Sequence, residues 1–216
     1  MIIIVDYGMG NLRSIQNMLK HLNVSSEISS DREIISAASK IILPGVGSFE
    51  KAVENIDRLG IRDLLIEKAR HEKIPFLGIC LGMQLLGDSS EEGTLPGLGL
   101  VPGRSAKFNF ESNKMKIPHM GWNTVSIIKD DVLFGNMHED SRFYFVHSYH
   151  FVCENETDIL TITEYGNNFI SAISNENIRG VQFHPEKSHK FGMKLLKNFS
   201  ELKQDVNDKS YALSVA

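Results

Sequence analysis

Cys80 lies in the pattern Gly78-Ile-Cys-Leu-Gly82, between an apolar run that starts at Pro75 and a segment of helical appearance. A strand that turns at once into a helix crowds its own backbone, and glycines on both sides of the central residue relieve that crowding. The pattern is typical of a nucleophile elbow, which exposes its central side chain at the end of the strand. The N-terminus of the next helix favours a thiolate there. The alternative is a small, buried cysteine that ends a core strand.

A candidate base and a carboxylate to orient it occur in Gly180-Val-Gln-Phe-His-Pro-Glu186. Because Pro185 cannot continue a strand ladder, His184 is expected at the tip of the preceding strand. Glu186 follows two residues later and can fold back to the imidazole, as in a nucleophile–base–carboxylate triad. Taken alone, this segment is more often a capped turn. Either histidine of His147-Ser-Tyr-His150 is a second candidate base or a polar group at a strand end.

Two glycine-containing loops follow other buried strand patterns. Pro44-Gly-Val-Gly-Ser48 is either a simple turn or an oxyanion hole built from backbone N–H groups, and it lacks the Gly-Lys-Ser/Thr of a phosphate-binding loop. Asp6-Tyr-Gly-Met-Gly-Asn11 resembles the start of a dinucleotide-binding motif, but Arg13 replaces its third glycine. A tight strand-to-helix turn is therefore favoured, with Asn11 as a helix N-cap or an exposed polar contact.

Strand and helix patterns alternate up to residue 87, which predicts a parallel α/β sheet. Active sites in such sheets lie at the carboxyl ends of the strands, so the three loops should open at one edge. The predicted strands are Ile2–Val5, Val24–Ile28, Lys40–Leu43 and Ile74–Ile79, and the predicted helices are Leu12–Leu22, Asp31–Ala38, Phe49–Arg70 with a break near Gly60, and the segment from Met83.

The pattern changes after Gly87, where a loop-rich segment, Asp88–Gly103, precedes short strand-like pieces that predict antiparallel elements. These pieces are Ser105–Phe110, Met115–Ile117, Asn123–Ile128, Phe143–Val146, Tyr149–Val152, Leu160–Tyr165, Ile170–Ile173 and Arg179–Phe183. A final helix is predicted from Lys187 to Leu202. The predicted fold is α/β, with a mainly parallel central sheet flanked by helices and extended by antiparallel strands. We expect one domain over residues 1–202 and a loose tail over residues 203–216.

Composition limits the classes of partner. A formal net charge of −4 and the lack of a basic run argue against a nucleic-acid partner. Cys80 and Cys153 are the only cysteines and are far apart, so neither a disulfide framework nor a cysteine-based metal site is expected. The apolar start Met1–Val5 is too short for a signal peptide, and no run approaches the ~18 apolar residues of a membrane span. We therefore expect a cytoplasmic protein.

The only tryptophan lies in Pro118-His-Met-Gly-Trp-Asn123, a polar segment of turn-forming appearance. An exposed tryptophan beside histidine and methionine would indicate a surface for a partner protein. A tryptophan packed under a loop is the commoner arrangement, and it is the interpretation that the residues alone favour.

Pro44-Gly-Val-Gly47, Gly78-Ile-Cys-Leu-Gly-Met-Gln84 and Phe183-His-Pro-Glu186 together resemble the class I (triad-type) glutamine amidotransferases. Asp6–Asn11, Pro118–Asn123 and Tyr144–Tyr149 narrow the resemblance to the glutaminase subunits of imidazole glycerol phosphate synthase, enzymes of histidine biosynthesis. The resemblance extends from residue 1 to about residue 202.

The resemblance implies that Cys80 attacks the side-chain carboxamide of glutamine, that His184 moves the proton to the departing ammonia and that Glu186 orients His184. Hydrolysis of the resulting thioester would give glutamate, and the resemblance implies no cofactor and no metal. The oxyanion would be held by the N–H groups of Leu81 and of the Pro44–Gly47 loop. The positions that would hold glutamine are Gly45, Gly47, Leu81, Gln84, Ser148 and Tyr149.

In this family the ammonia passes to a separate (β/α)8-barrel synthase subunit, so the resemblance implies a heterodimer. The positions that would face the barrel are Asn11, Pro118, His119, Met120, Gly121, Trp122 and Lys187. Related subunits supply an N-acetyl sugar amidotransferase for surface polysaccharide instead, and Arg142–His150 and Lys187–Met193 are at least as similar to that branch. The segment Lys107–Lys114 is also longer than the histidine-biosynthesis subunit needs. Both acceptors therefore stay open.

Two other classes of protein use such a fold. A binding subunit without catalytic activity is disfavoured because Cys80, His184 and Glu186 are all present. A cysteine protease or hydrolase is a third interpretation, against which Gln84 and the Pro44–Gly47 loop favour an amide donor.

Overall fold

The computed structural model describes residues 1–110, 115–138 and 140–204. Its strands are β1 Ile2–Val5, β2 Ser26–Ser29, β3 Lys40–Gly45, β4 Phe76–Cys80, β5 Ser89–Ser90, β6 Gly103–Lys107, β7 His119–Thr124, β8 Ser126–Ile127, β9 Arg142–His147, β10 Tyr149–Cys153, β11 Ile159–Tyr165, β12 Asn167–Asn175 and β13 Ile178–Val181. Its helices are α1 Leu12–His21, α2 Arg32–Ser36, α3 Phe49–Arg58, α4 Arg62–Arg70, α5 Leu81–Leu85 and α6 His189–Glu201. Residues 111–114 of the segment Lys107–Lys114 and residues 205–216 of the predicted tail lie outside the described residues.

One mixed sheet organises the described residues, in the order β2-β1-β3-β4-β13-β12-β10-β6-β5. Strands β2, β1, β3, β4 and β13 are mutually parallel, and antiparallel pairing begins where β12 joins β13. Strand β11 adds to β12, and β7 pairs with β9 as a separate antiparallel ribbon. The predicted α/β fold with added antiparallel strands is confirmed.

The two faces of the sheet bury two hydrophobic clusters, because successive side chains of a strand point to opposite faces. From β1, Ile3 and Val5 pack in the cluster that contains the apolar residues of α3 and α4. Ile2 and Ile4 pack in the other cluster, with the apolar residues of α1 and α6. The helices on both faces hold the strand ends in fixed positions, and the loops that follow β1, β3, β4 and β13 meet at one edge.

The short strand β5 lies within the predicted loop segment Asp88–Gly103, and the sequence prediction was wrong in three further places. Met115–Ile117 is irregular, and Pro118–Asn123 does not form a turn. Instead, His119–Thr124 is strand β7, because it has a long-range partner in β9 that pairs Trp122 with Tyr144. The last helix begins at His189, since Pro185–Lys187 forms a 3-10 turn. No helix in the described ranges has the length and apolar character that crossing a bilayer requires.

The turn from β4 into α5 packs directly on β3 at Gly82. A Cβ atom there would overlap the carbonyl oxygen of Leu43, and one at Gly78 would lie 2.6 Å from the carbonyl oxygen of Gly82. Backbone atoms cannot yield as a flexible side chain does, so these positions admit only glycine.

Gly82→Ala is expected to lower the free energy of unfolding by about 3 kcal/mol, because the added methyl group forces β3 and α5 apart. Urea denaturation followed by circular dichroism measures this change. Ser14→Ala, at an exposed position of α1, is the control and should leave the midpoint in place. Equal stabilities of the Gly82→Ala variant and the control would contradict the packing argument.

Candidate active site

Cys80 ends β4 with φ of 56° and ψ of −111°, a conformation that residues with a side chain rarely adopt. Backbone strain of this kind is held in place only when the surrounding structure fixes it, and it is typical of functional positions. Here the close packing of Gly78 and Gly82 fixes it. The sulfur is thereby presented at the carboxyl edge of the parallel strands, as the elbow pattern predicts.

His184 and Glu186 form a buried pair beside the cysteine. Nδ1 of His184 lies 2.8 Å from Oε1 of Glu186, and the two side chains are only 1% and 2% exposed. Because an ionised carboxylate can only accept, Nδ1 carries the proton of this hydrogen bond. Nε2 is therefore the ring atom that can exchange a proton with Cys80, whose side chain interacts with this imidazole.

The charges of the pair keep both members ionised at neutral pH. Burial lowers the pKa of His184, but a Cys80 thiolate and the Glu186 carboxylate outweigh burial and raise that pKa to about 10. Burial raises the pKa of Glu186, but its hydrogen bond with His184 and the positive charge there bring it below its usual value. The buried pair therefore holds an imidazolium beside Cys80, an arrangement in which a histidine can activate a neighbouring thiol.

Asn11 is a second support for the carboxylate. Its Nδ2 donates to Oε1 of Glu186 over 3.0 Å, the same oxygen that faces His184. Asn11 stands at the N-cap position of α1, but its side chain makes no capping hydrogen bond there. The sequence prediction of a partner-facing Asn11 stays a prediction, and the structure adds a contact within the site.

A cavity of about 310 Å3 opens over Cys80. The described residues that line it are Val46, Gly47, Cys80, Leu81, Gln84, Glu92, Pro118, Val146, His147, Ser148 and Tyr149. Its size suits a small metabolite. Every predicted glutamine-binding position lines the cavity except Gly45, which is buried in β3 opposite Cys80.

Leu81 and Gly47 line the cavity from two different segments of the chain. Leu81 begins α5, where the N–H groups have no partner within the helix. Gly47 adopts φ of 110°, which glycine permits, in the loop after β3. Tyr7 holds the start of that loop in place, since its buried hydroxyl donates to the carbonyl oxygen of Pro44 over 2.6 Å. Tyr7 was not among the site residues predicted from the sequence, although it is the aromatic residue in the loop after β1.

The alternative bases are placed unfavourably. His147 lines the cavity, but its Nδ1 lies 2.7 Å from the carbonyl oxygen of Tyr149 and its Nε2 lies 3.0 Å from Nδ1 of His119. Burial lowers the pKa of His147 to about 3 and that of His119 to about 4, so both are neutral. His150 is not among the described lining residues. His184 is the histidine positioned to act as the base.

Glu92 is a charged residue of the site that was not predicted from the sequence. It lines the cavity, and its Oε2 accepts a hydrogen bond from the N–H of Phe49 over 2.8 Å. It is the one carboxylate among the described lining residues. The acidic pair Glu91-Glu92, in the loop soon after the elbow helix, was the available signal.

The predicted partner-facing segment is exposed beside the cavity mouth. Met120 is 61% exposed and Trp122 is 45% exposed, so the expectation that the tryptophan is packed under a loop was wrong. Trp122 instead stacks on the ring of His189, with a centroid distance of 5.5 Å. Pro118 and Lys187 are exposed and Gly121 is half-buried, whereas the side chain of His119 is buried. Across the described ranges, no cluster of three or more candidate metal ligands occurs.

A strained cysteine beside a carboxylate-held imidazole is the arrangement of enzymes that attack an acyl carbon through a thiol. The chain belongs to the class I glutamine amidotransferase family, whose model matches residues 3–202. This membership makes it a glutamine amidotransferase.

Three relatives are similar over nearly their whole length. The chain is 57% identical over 199 residues to imidazole glycerol phosphate synthase subunit HisH 2 of Methanococcus maripaludis, which covers 92% of this chain and 98% of the relative. It is 46% identical to subunit HisH of Leptospira interrogans and 48% identical to that of Bdellovibrio bacteriovorus, in each case over 94% of this chain and 100% of the relative.

Solved structures of lower identity share the fold. PurLQS from Thermotoga maritima matches with a TM-score of 0.68 and 21% identity, over 92% of this chain and 96% of that chain. A glutamine amidotransferase from the same organism matches with a TM-score of 0.59 and 18% identity, over 92% of this chain and 81% of that chain.

Asn11→Ala is expected to slow glutamine hydrolysis about three- to tenfold, the effect of one lost hydrogen bond to a catalytic group. Loss of this donor raises the pKa of Glu186, so the acid limb of the pH–rate profile should move to higher pH. Asn17→Ala, at an exposed position of the same helix, is the control. If only affinity for a partner protein falls and the acid limb stays in place, the contact with Glu186 has no catalytic effect.

Proposed function

We propose that this chain is the glutaminase subunit of an imidazole glycerol phosphate synthase. It hydrolyses glutamine to glutamate and ammonia and delivers the ammonia to the synthase subunit, in the cytoplasm. The observation that carries this proposal is the 57% identity to subunit HisH 2 of M. maripaludis over 98% of that protein. None of the relatives reported above has a name that favours a sugar amidotransferase acceptor.

Cys80, His184 and Glu186 act as the catalytic triad. The sulfur of Cys80 attacks the carboxamide carbon of glutamine, and a C–S bond forms. His184 donates its proton to the nitrogen as the C–N bond breaks, which releases ammonia and leaves a thioester. His184 then takes a proton from a water molecule that attacks the thioester, so that glutamate leaves and the thiolate is restored. Glu186 stays ionised throughout and holds the imidazole.

The two tetrahedral intermediates carry a negative charge on the former carbonyl oxygen. The N–H groups of Leu81 and of the Val46–Gly47 segment stabilise it, a role supported by the position of these residues in the wall of the cavity over Cys80. Gln84, Ser148 and Tyr149 hold the rest of the glutamine molecule. Glu92 binds its α-ammonium group, since a free amino acid needs a carboxylate partner for that charge.

The exposed segment around Trp122 docks the (β/α)8-barrel synthase subunit in a heterodimer. Its side chains Met120 and Trp122 are exposed, and Trp122 pairs with Tyr144, over whose ring Nζ of Lys187 lies at 5.5 Å. Pro118 belongs both to this surface and to the cavity wall. Large exposed aromatic and methionine side chains are enriched at protein interfaces. Residues 1–202 act as one glutaminase domain in this assembly.

Cys80→Ala and His184→Ala should each abolish glutamate release, with losses of at least about 10,000-fold, because the triad acts as a unit. A coupled glutamate assay on the purified chain, with and without the barrel subunit, measures this. Cys153→Ala is the matched control, since Cys153 is half-buried in β10 and does not line the cavity. Unchanged turnover in Cys80→Ala would contradict the mechanism.

The same assay identifies the acceptor. We expect weak glutaminase activity from the isolated chain and strong stimulation by the barrel subunit. Stimulation by an N-acetyl sugar amidotransferase subunit but not by the barrel would replace the proposed partner. Full activity of the isolated chain would contradict dependence on a partner.

Glu92→Gln is expected to raise the KM for glutamine about tenfold with kcat within about threefold, because the ammonium contact is made in the ground and transition states alike. Glu91→Gln is the control, since Glu91 pairs with Arg104 and does not line the cavity. Glutaramate, which is glutamine without the ammonium group, should react equally with the wild type and the variant. A slower reaction of the variant with glutaramate would show that Glu92 acts only by supporting the loop at Phe49.

A further inference from the structure

Gln182 is a buried polar residue to which the triad assigns no role. It follows β13 directly, and the parallel register pairs Val181 with Ile79 one residue earlier, so Gln182 lies beside Cys80. Its side chain is fully buried, and its Nε2 lies 3.7 Å from the sulfur of Cys80. A buried amide needs its hydrogen bonds satisfied, so this contact is part of what holds Gln182 in place.

The orientation of the Gln182 amide is fixed by its other neighbour. Its Oε1 accepts a hydrogen bond from Nε2 of Gln84 over 3.1 Å. The same Nε2 of Gln84 also donates to the carbonyl oxygen of Tyr149 over 3.2 Å. Since a carbonyl oxygen can only accept, the amide of Gln84 must present its NH2 group to both, and Gln182 must present oxygen to Gln84. The NH2 group of Gln182 is thereby left facing the sulfur.

The sulfur of Cys80 thus has two kinds of neighbour with opposite preferences. The carbonyl oxygen of Val146, at 4.0 Å, is an acceptor and can bond only to the thiol form. The NH2 group of Gln182 is a donor and bonds more strongly to a thiolate, because hydrogen bonds to charged acceptors are the stronger ones. Cys80 is only 6% exposed, so water contributes little to the solvation of its charge.

We propose that Gln182 is a positioning residue that holds the sulfur of Cys80 under the cavity and stabilises its thiolate, alongside His184. The proposal deepens the function proposed above and rests on Cys80 being its nucleophile. Of the two donors, His184 gives up its proton during the reaction, whereas Gln182 keeps both of its amide protons. Gln182 therefore stabilises the thiolate both when it attacks and when it leaves the thioester.

Gln182→Met tests the proposal, since methionine has a similar length but no donor. The rate of alkylation by iodoacetamide is measured for each cysteine by mass spectrometry, from about pH 5 to about pH 10. At neutral pH the alkylation of Cys80 should slow about tenfold, and its pH profile should move up by about one unit. Gln16→Met, at a half-buried glutamine of α1, is the matched control.

Cys153 reports whether the variant is folded. It is half-buried, and burial together with Asp158 raises its pKa to about 12, so it should react slowly in any folded variant. His184 and Tyr7, which also interact with the charge of Cys80, are the same in all of these proteins and do not contribute to the difference. If Cys153 reacts fast in Gln182→Met, the comparison is repeated with Gln182→Leu, which also lacks a donor.

The outcomes separate this proposal from the proposed function. If Cys80 of the wild type reacts as slowly as Cys153 at neutral pH, the nucleophile itself is wrong and both proposals fail. If the wild type reacts fast and folded Gln182 variants without a donor keep its pH profile, only the role of Gln182 is overturned. A profile that moves to higher pH in those variants supports the role, because a purely structural contact would leave the midpoint in place.

Discussion

The parallel pairing of β4 with β13 brings together residues 102 positions apart in the chain. Strand β4 ends in Cys80, and the chain after β13 continues through Gln182 to His184, so the proposed nucleophile and the proposed base emerge at the same edge. Strand β3 on the other side of β4 places Gly45 opposite Cys80 and sends the Val46–Gly47 loop over the cavity. The helices on both faces keep these strand ends in register.

Because the charged pair His184–Glu186 is buried, the site depends on the hydrogen bonds and charges that stabilise each member. The side chains are almost inaccessible to water, and the desolvation of two ions costs several kcal/mol that their mutual attraction must offset. Removal of one member leaves an uncompensated charge, and removal of Asn11 weakens the carboxylate that holds the imidazole. The start of α1 and the end of β13 are therefore coupled through Glu186 even though they are distant in sequence.

What the sequence revealed about this site depended on how local each interaction is. At the elbow Gly78 packs against the carbonyl oxygen of Gly82, and Glu186 folds back on His184 from two residues away, so spacing alone predicts both. Glu92, Tyr7 and Gln182 contribute through contacts made only after strands pair, so their roles do not follow from the short segments in which they occur.

Strand β7 was also not predictable from local sequence, since only its pairing with β9 makes a strand of a segment with turn-forming composition. That pairing also explains why Trp122 is exposed: one face of β7 is turned to solvent, and the other face is buried.

The two faces of β7 connect the exposed surface to the cavity wall. Met120 and Trp122 point to solvent, whereas His119, one residue before Met120, points inward and donates to His147. Since Nδ1 of His147 must donate to the carbonyl oxygen of Tyr149, its Nε2 must accept, and the direction of each hydrogen bond is set. The same carbonyl oxygen accepts from Gln84, which orients Gln182 against the sulfur of Cys80. A protein that binds at Trp122 thus contacts a strand whose inner face is connected by successive hydrogen bonds to Cys80, the proposed nucleophile.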